Sequence, residues 1–170
     1  FLKDSTAGFY GYDLNSPLLP GDSMLLNYEL EYFPKNFILK RSQTDIVENG
    51  TFINSGHLPS IGYNKDAEMG DNATRKKYGL APKPRMNSIF DTTAYGNTYI
   101  ASDADWIRFE CEVSTVPDQI AISPGYLEKE WNTTENGKER RHFKYKMDAP
   151  ILNFYSFLSA RYEVKRDRWI

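Results

Sequence analysis

Alternating apolar and polar residues predict a first strand over residues 23–33, SMLLNYELEYF. Apolar side chains fill the even positions of this stretch, and Asn27, Glu29 and Glu31 separate them. Since successive side chains of a strand point to opposite faces, a period of two is typical of a half-buried strand. The preceding residues 19–22, LPGD, predict a turn, in which the proline fixes φ and the glycine accepts a positive φ.

Two later stretches repeat this alternation. Residues 157–164 alternate in the same way and predict a strand that runs almost to the end of the chain. Residues 106–115 predict another strand, whose inner face carries Ile107, Phe109, Cys111 and Val113. Cys111, the one cysteine of the chain, is then expected to be a small buried hydrophobic residue.

The pair Asn136-Gly137 favours a two-residue type I′ turn, and it lies between Trp131 and the segment RRHFKYKM. This arrangement predicts a β-hairpin. In the second arm, the alternation places His142 among Arg140, Lys144 and Lys146 on the wetter face. We therefore expect His142 to be a solvated histidine rather than a ligand.

A second turn signal and a histidine share the segment NGTFINSGHLPSIGYN. Asn49-Gly50 predicts another hairpin turn. Residues 56–62 predict an irregular loop, because two glycines and a proline interrupt any regular pattern there. We expect His57 to pack or hydrogen-bond locally within this loop, since no partner ligand lies at a metal-binding spacing from it.

One segment departs from the strand pattern. Residues 64–80, NKDAEMGDNATRKKYGL, offer Asn64 or Asp66 as N-cap, basic residues at 75–77 for the last turn and Gly79 as a stop. They predict one short surface helix near residues 66–78.

Composition supports an all-β, mostly antiparallel fold. Aromatic residues make up 15% of the chain, which favours pleated structure over helix. We expect a β-sandwich or a saddle-shaped sheet in a single domain over residues 1–170, a length that suits one folded unit. Because the chain begins with Phe1 and shows no signal-peptide pattern, we interpret it as a piece of a longer protein.

Charge and motif spacing argue against several function classes. A formal net charge of -2 and a pI near 5.8 give no reason to expect nucleic acid as a partner. No apolar run approaches the roughly 20 residues of a membrane-spanning helix. Neither His57 nor His142 belongs to an H-E-x-x-H motif, and no phosphate loop or nucleophile elbow occurs. We therefore predict no catalytic and no metal-binding residue in this chain.

The densest acidic stretch beside an aromatic residue is ASDADWIRF. Asp103, Asp105 and Trp106 within it are candidates for a cation or amine site. The alternative, which we favour, is a polar turn that leads into a strand, because aspartate is common in turns.

Five segments together resemble the amino-terminal β domain of M1-type zinc aminopeptidases, in the version joined to an ABC-2-type transporter permease region in large bacterial membrane proteins. The segments are LPGDSMLLNYELEYF, NGTFINSGHLPSIGYN, RKKYGL, DWIRFECEVSTVPDQIAISPGYL and FKYKMDAPILNFYSFLSARYEV. The resemblance spans nearly the whole chain. It includes the strand WIRFECEVST and the following segment that ends in S-P-G at Gly125.

The resemblance implies a non-catalytic accessory domain that packs beside the downstream peptidase domain of the same chain and helps to shape its substrate cleft. The family's G-x-M-E-N and H-E-x-x-H motifs are absent here, so zinc and peptide hydrolysis would belong to that downstream domain. The family's D-E-P motif is not preserved, since the corresponding residues 103–106 read DADW. A membrane-anchored parent and an extracytoplasmic position for this domain are further expectations.

Two other readings stay open. A free-standing module for carbohydrate or peptide could use exposed aromatic rings such as Trp106, Tyr126 and Trp131, since such rings stack on sugars. A small enzyme with carboxylate chemistry is the third reading, although no spacing in the chain favours it.

Overall fold

The computed structural model describes residues 2–4, 8–33, 44–62, 68–84, 86–96 and 105–168. Its strand pairs are antiparallel and its helical content is small, which confirms the all-β fold class. The chain divides into two compact units, Phe1–Tyr32 and Phe33–Ile170. A single domain over residues 1–170 stays a prediction.

The first unit contains a small antiparallel ribbon. Strand β1 (Leu2–Asp4) pairs with β2 (Phe9–Gly11), and Leu2 lies opposite Gly11. Further along, the Asp22 N–H donates 2.9 Å to the Leu19 carbonyl, and Gly21 has a φ of 94°. The turn predicted at residues 19–22 is therefore confirmed.

The strand predicted over residues 23–33 is wrong. No strand is assigned there, and its side chains are exposed on both faces except at Tyr32, which is half-buried. Alternation defines a strand only where a neighbouring strand supplies backbone partners and one face is covered. Among the described residues no strand pairs with this stretch.

The second unit holds the remaining described elements. They are β3 (Ile46–Val47), β4 (Gly50–Asn54), α1 (Asn72–Lys77), β5 (Trp106–Ile107), β6 (Glu110–Thr115), β7 (Ile120–Ile122), β8 (Tyr126–Glu135), β9 (Lys138–Lys146), β10 (Ile151–Leu152) and β11 (Ser156–Ala160). Two short 3-10 helices, Ser55–His57 and Thr92–Gly96, complete the set.

A four-stranded sheet has the order β3-β4-β11-β7. Val47 lies opposite Gly50, so β3 and β4 form the hairpin predicted at this point, with Glu48 and Asn49 as its turn residues rather than Asn49 and Gly50. Strand β11 lies between β4 and β7 and ends at Ala160, four residues before the predicted end at residue 164. Residues 161–168 are exposed, so no burial holds them in the sheet.

A three-stranded sheet has the order β6-β9-β8. Asn136 and Gly137 connect β8 to β9 with φ angles of 51° and 74°. Two consecutive positive φ angles are the signature of a type I′ turn, so the predicted hairpin is confirmed.

The strand predicted over residues 106–115 is present in two pieces. Strand β5 pairs with β10, whereas β6 pairs with β9 in the three-stranded sheet. The inner face is confirmed, because Phe109 is buried and Cys111 and Val113 pack against the buried core.

The core of the second unit lies between the two larger sheets. Ala121 from β7 meets Phe143 and Tyr145 from β9, with Phe109 buried nearby. The phenol of Tyr145 donates a 2.8 Å hydrogen bond to the Ala121 carbonyl and so joins one sheet to the other. This core fixes how the inner faces of the two sheets are placed.

The predicted helix is present but shorter, over Asn72–Lys77. Its N-cap is Asp71, whose carboxylate accepts a 2.7 Å hydrogen bond from the Thr74 N–H. Asn64 and Asp66, the predicted N-caps, lie outside the described residues. Gly79 ends the helix with a φ of 70°, and the basic last turn at residues 75–77 is confirmed.

Candidate functional site

Asp105 and Trp106 lie where β5 begins. The Asp105 carboxylate accepts a 2.9 Å hydrogen bond from the Trp106 N–H, and its backbone carbonyl accepts one of 2.9 Å from Asn153. Both residues are exposed, Trp106 to 68%. Asp105 thus directly precedes β5 and Trp106 is the first residue of that strand, and the polar turn before them stays a prediction. Asp103 lies outside the described residues.

His57 is held by its own loop, as expected from the sequence. Its Nδ1 lies 3.3 Å from both the backbone carbonyl and the side-chain oxygen of Asn54. Its Nε2 lies 3.7 Å from an Asp45 carboxylate oxygen. The ring therefore ties the 3-10 turn to the residues before β3.

His142 is buried, so the prediction of a solvated histidine is wrong. It is 7% exposed, and its ring stacks on Trp131 with centroids 5.1 Å apart. Nδ1 lies 2.9 Å from Glu112 Oε1, and Nε2 lies 2.7 Å from Thr133 Oγ1. Alternation placed His142 on the correct face of β9. It could not show that side chains of β6 and β8, the two neighbouring strands, cover the His142 ring.

The same face of the three-stranded sheet carries a ladder of opposite charges. Lys144 Nζ lies 2.7 Å from one Glu110 oxygen, and Lys146 Nζ lies 3.4 Å from the other. Hydrogen bonds from Lys144 and Lys146 lower the pKa of Glu110, and the bond to Glu110 raises that of Lys144. These cross-strand pairs hold β6 in register with β9.

An open groove of about 660 Å³ lies between the two larger sheets. One side of the groove is lined by β3. The other side is lined by residues 112–116, which form the second half of β6 and the residue after it. The inner faces of β4 and β11 contribute Ile53 and Phe157. This volume falls within the range of roughly 300–1,000 Å³ typical of ligand pockets.

Gln119 lines the groove and is itself buried. Its amide nitrogen donates 3.0 Å to the Glu48 carbonyl. Its amide oxygen accepts from the hydroxyls of Thr115, at 3.2 Å, and Ser159, at 3.0 Å. These three hydrogen bonds join the β3–β4 turn, the end of β6 and β11 to one buried amide, which favours a preformed groove.

Among the described residues, no strand pairs with the edge of β6 that borders this groove. The Met147 N–H donates 3.1 Å to the Phe109 carbonyl, and these two residues continue the register in which Glu110 faces Lys146. Hydrogen-bonded pairs alternate with non-bonded pairs along an antiparallel ladder. The backbone N–H and C=O groups of Glu110, Glu112 and Ser114 therefore point away from β9, toward the open edge.

Arg140 is the cationic group of the groove. One of its terminal nitrogens donates to the Ser114 carbonyl at 2.8 Å and to the Ser114 hydroxyl at 2.9 Å. The side chain is half-buried, and no carboxylate of the described residues pairs with it. Its remaining N–H groups can donate hydrogen bonds to an anionic partner, since a guanidinium carries five donors.

The surroundings of Cys111 are unlike those of a reactive cysteine. Burial raises the pKa of the Cys111 thiol, whose sulfur lies 3.0 Å from the Ser123 hydroxyl. Reactive cysteines have a lowered pKa instead. Across the described ranges, no cluster of three or more His, Cys, Asp or Glu side chains is arranged to hold a metal ion.

Sequence reasoning missed Gln119 and Arg140. Gln119 follows a Val-Pro-Asp turn, and Arg140 lies in a run of charged residues on a strand, so neither shows a local signal. Pairing of β6 with β9 brings Arg140 to Ser114 across 26 positions of the chain.

The helices that the structure describes include none with the length and apolar character needed to cross a membrane. Comparison with family models, with curated proteins and with solved structures found no match to this chain.

Proposed function

We propose that this chain is a non-catalytic β domain of a larger, membrane-associated protein similar to M1-type zinc aminopeptidases. In this proposal the domain packs beside the catalytic domain of the same chain and helps to shape its cleft for a peptide substrate. Zinc would be held by the catalytic domain, and this domain would lie on the extracytoplasmic side. The resemblance of the five sequence segments is the basis for the family.

An exposed apolar segment, residues 86–95, is the observation that carries the packing role. Met86 is 97% exposed and Phe90 is 86% exposed, and Ile89 and Tyr95 are exposed as well. The Tyr95 hydroxyl donates 2.9 Å to the Ile89 carbonyl, so the segment is folded and still presents its apolar side chains to solvent. Apolar surface of this kind is typical of a face that another domain covers.

The experiment that tests this proposal uses the natural protein that contains the chain and, separately, the chain alone. Bound zinc is measured by atomic emission, and hydrolysis of aminoacyl-arylamides is followed by absorbance. We expect zinc and hydrolysis in the longer protein, and neither in the chain alone. A longer protein without zinc and without hydrolysis would overturn the proposal, as would hydrolysis by the chain alone.

A binding module is the second candidate, and the open groove favours peptide over carbohydrate as its ligand. Trp131 is the aromatic residue best suited to a sugar, but its ring stacks on His142. The centroid of that ring also lies 4.7 Å from Lys129 Nζ. Tyr126 and Trp106 are exposed but lie on strands of different sheets. Unchanged binding of Trp131→Ala to an array of glycans would remove the carbohydrate alternative.

A further inference from the structure

The open edge of β6 can form backbone hydrogen bonds with an extended chain. Its outward groups belong to Glu110, Glu112 and Ser114, and residues 112–114 also line the groove. An exposed strand edge is a template for pairing, and peptide recognition by strand addition uses such an edge. The apolar side chains of Val113, Ile53 and Phe157 line the same groove, where alternate side chains of an added strand would be accommodated.

Arg140 sets where an added strand must end. Its guanidinium donates a hydrogen bond to the outward carbonyl of Ser114. The series of backbone groups that are free to pair therefore ends at that residue. A chain that pairs with Glu110 and Glu112 therefore reaches a cation at the end of the ladder. An extended chain ends in a C-terminal carboxylate. A guanidinium binds carboxylates strongly, because the two groups form charge-assisted hydrogen bonds.

We propose that this groove binds the free C-terminus of an extended peptide. The peptide adds to β6 as a parallel strand, directs alternate apolar side chains into the groove and places its terminal carboxylate on Arg140. The occupant is a peptide or protein tail with apolar residues near its end. This site is distinct from the exposed segment 86–95 and does not depend on the accessory role proposed above.

The experiment measures binding of synthetic hexapeptides to the chain by fluorescence polarisation. Positional-scanning mixtures are prepared twice, once with a free C-terminal acid and once with a C-terminal amide. We expect binding of free-acid mixtures that carry valine, isoleucine or leucine near the end. Amidation lowers the affinity about tenfold, because one charge-assisted hydrogen-bonded pair is lost.

Variants of Arg140 test the assignment of the carboxylate. In Arg140→Gln the difference between acid and amide is expected to fall below about twofold, and in Arg140→Lys part of it returns. Lys138→Gln, which removes an exposed cation two residues before Arg140 on β9, serves as the matched control and keeps the full difference. Thermal unfolding of each variant shows whether the fold is retained.

Amide hydrogen exchange locates the bound peptide. We expect the best free-acid peptide to slow exchange at the Glu112 and Ser114 amides. The proposal would be overturned if no mixture bound, or if acid and amide peptides bound equally. It would also be overturned if amidated peptides with an internal glutamate bound as well as free acids, or if protection appeared at residues away from β6. Dimerisation of the chain through β6, seen by sedimentation, would assign the edge to a second copy instead.

Discussion

The hydroxyl of Tyr145, on β9, donates a 2.8 Å hydrogen bond to the backbone carbonyl of Ala121, on β7. Both residues are buried, and they belong to different sheets. Burial raises the pKa of Tyr145 above the ordinary tyrosine value, which keeps the phenol protonated and able to donate. This bond is a specific link between the two sheets that form the groove.

Removing this hydroxyl is predicted to weaken the fold. In Tyr145→Phe the Ala121 carbonyl loses its side-chain donor in a buried place, and the free energy of unfolding is expected to fall by about 1 kcal/mol. Urea denaturation followed by tryptophan fluorescence measures the change. Tyr126→Phe is the control, since Tyr126 is exposed, and it should leave the midpoint unchanged. Equal midpoints for both variants would contradict the role of the link.

The hydrogen bonds of His142 and its stacking on Trp131 are both predicted to contribute to the free energy of unfolding. His142→Ala removes the stack on Trp131 and the contacts with Glu112 and Thr133, at a cost of about 2–3 kcal/mol. His142→Phe keeps an aromatic face and should cost less. The difference between the two variants in urea denaturation measures the stacking. If both variants were as stable as the unchanged chain, a solvated histidine would be the better description.

Acid is predicted to weaken the pairing of β6 with β9. The pKa of Glu110 is lowered in the folded chain, mainly by hydrogen bonds from Lys144 and Lys146. A lowered folded pKa stabilises the protein above the ordinary glutamate value near 4.5, and this contribution is lost as the pH falls through the lower folded value. Glu110→Gln should therefore flatten the acid limb of stability against pH. Identical limbs for the two proteins would contradict this prediction.

Gly125 is predicted to tolerate no side chain. Its φ is 106°, and a Cβ added there would lie 2.6 Å from the carbonyl atoms of Lys146. Gly125→Ala is expected to lower the free energy of unfolding by at least about 2 kcal/mol, from backbone strain and a backbone clash. Gly137→Ala is the matched control, because that glycine also has a positive φ but has open space around it. A larger loss in Gly137→Ala than in Gly125→Ala would refute the steric argument.

Local chemistry made part of the fold predictable. Two positive φ angles are needed for a tight hairpin, and Asn136-Gly137 supplies the residues that accept them, so this hairpin could be read directly from the sequence. Residues 23–33 show a cleaner alternation than β11, yet they form no strand. The difference lies in the pairing partners, which alternation does not specify.

The candidate site was harder to predict because distant residues build it. Val113, Phe157 and Ile46 meet in the groove only through strand pairing and sheet packing. Asp105 and Trp106 are neighbours in sequence, but they lie exposed at the start of β5 and do not line the groove. Arg140 is a candidate because it bonds Ser114 and forms no ion pair with a described carboxylate, and neither property is visible in the sequence.

The most direct test of the central proposal, that a peptidase-like domain covers the exposed apolar segment, is oxidation of Met86 by dilute peroxide. Peptide mass spectrometry gives the rate at Met86 in the chain alone and in the longer natural protein, with the less exposed Met69 as internal reference. We predict fast oxidation of Met86 in the chain alone and at least about tenfold slower oxidation in the longer protein, since burial restricts access of the oxidant. Equal rates at Met86 in the two proteins would contradict the proposed packing.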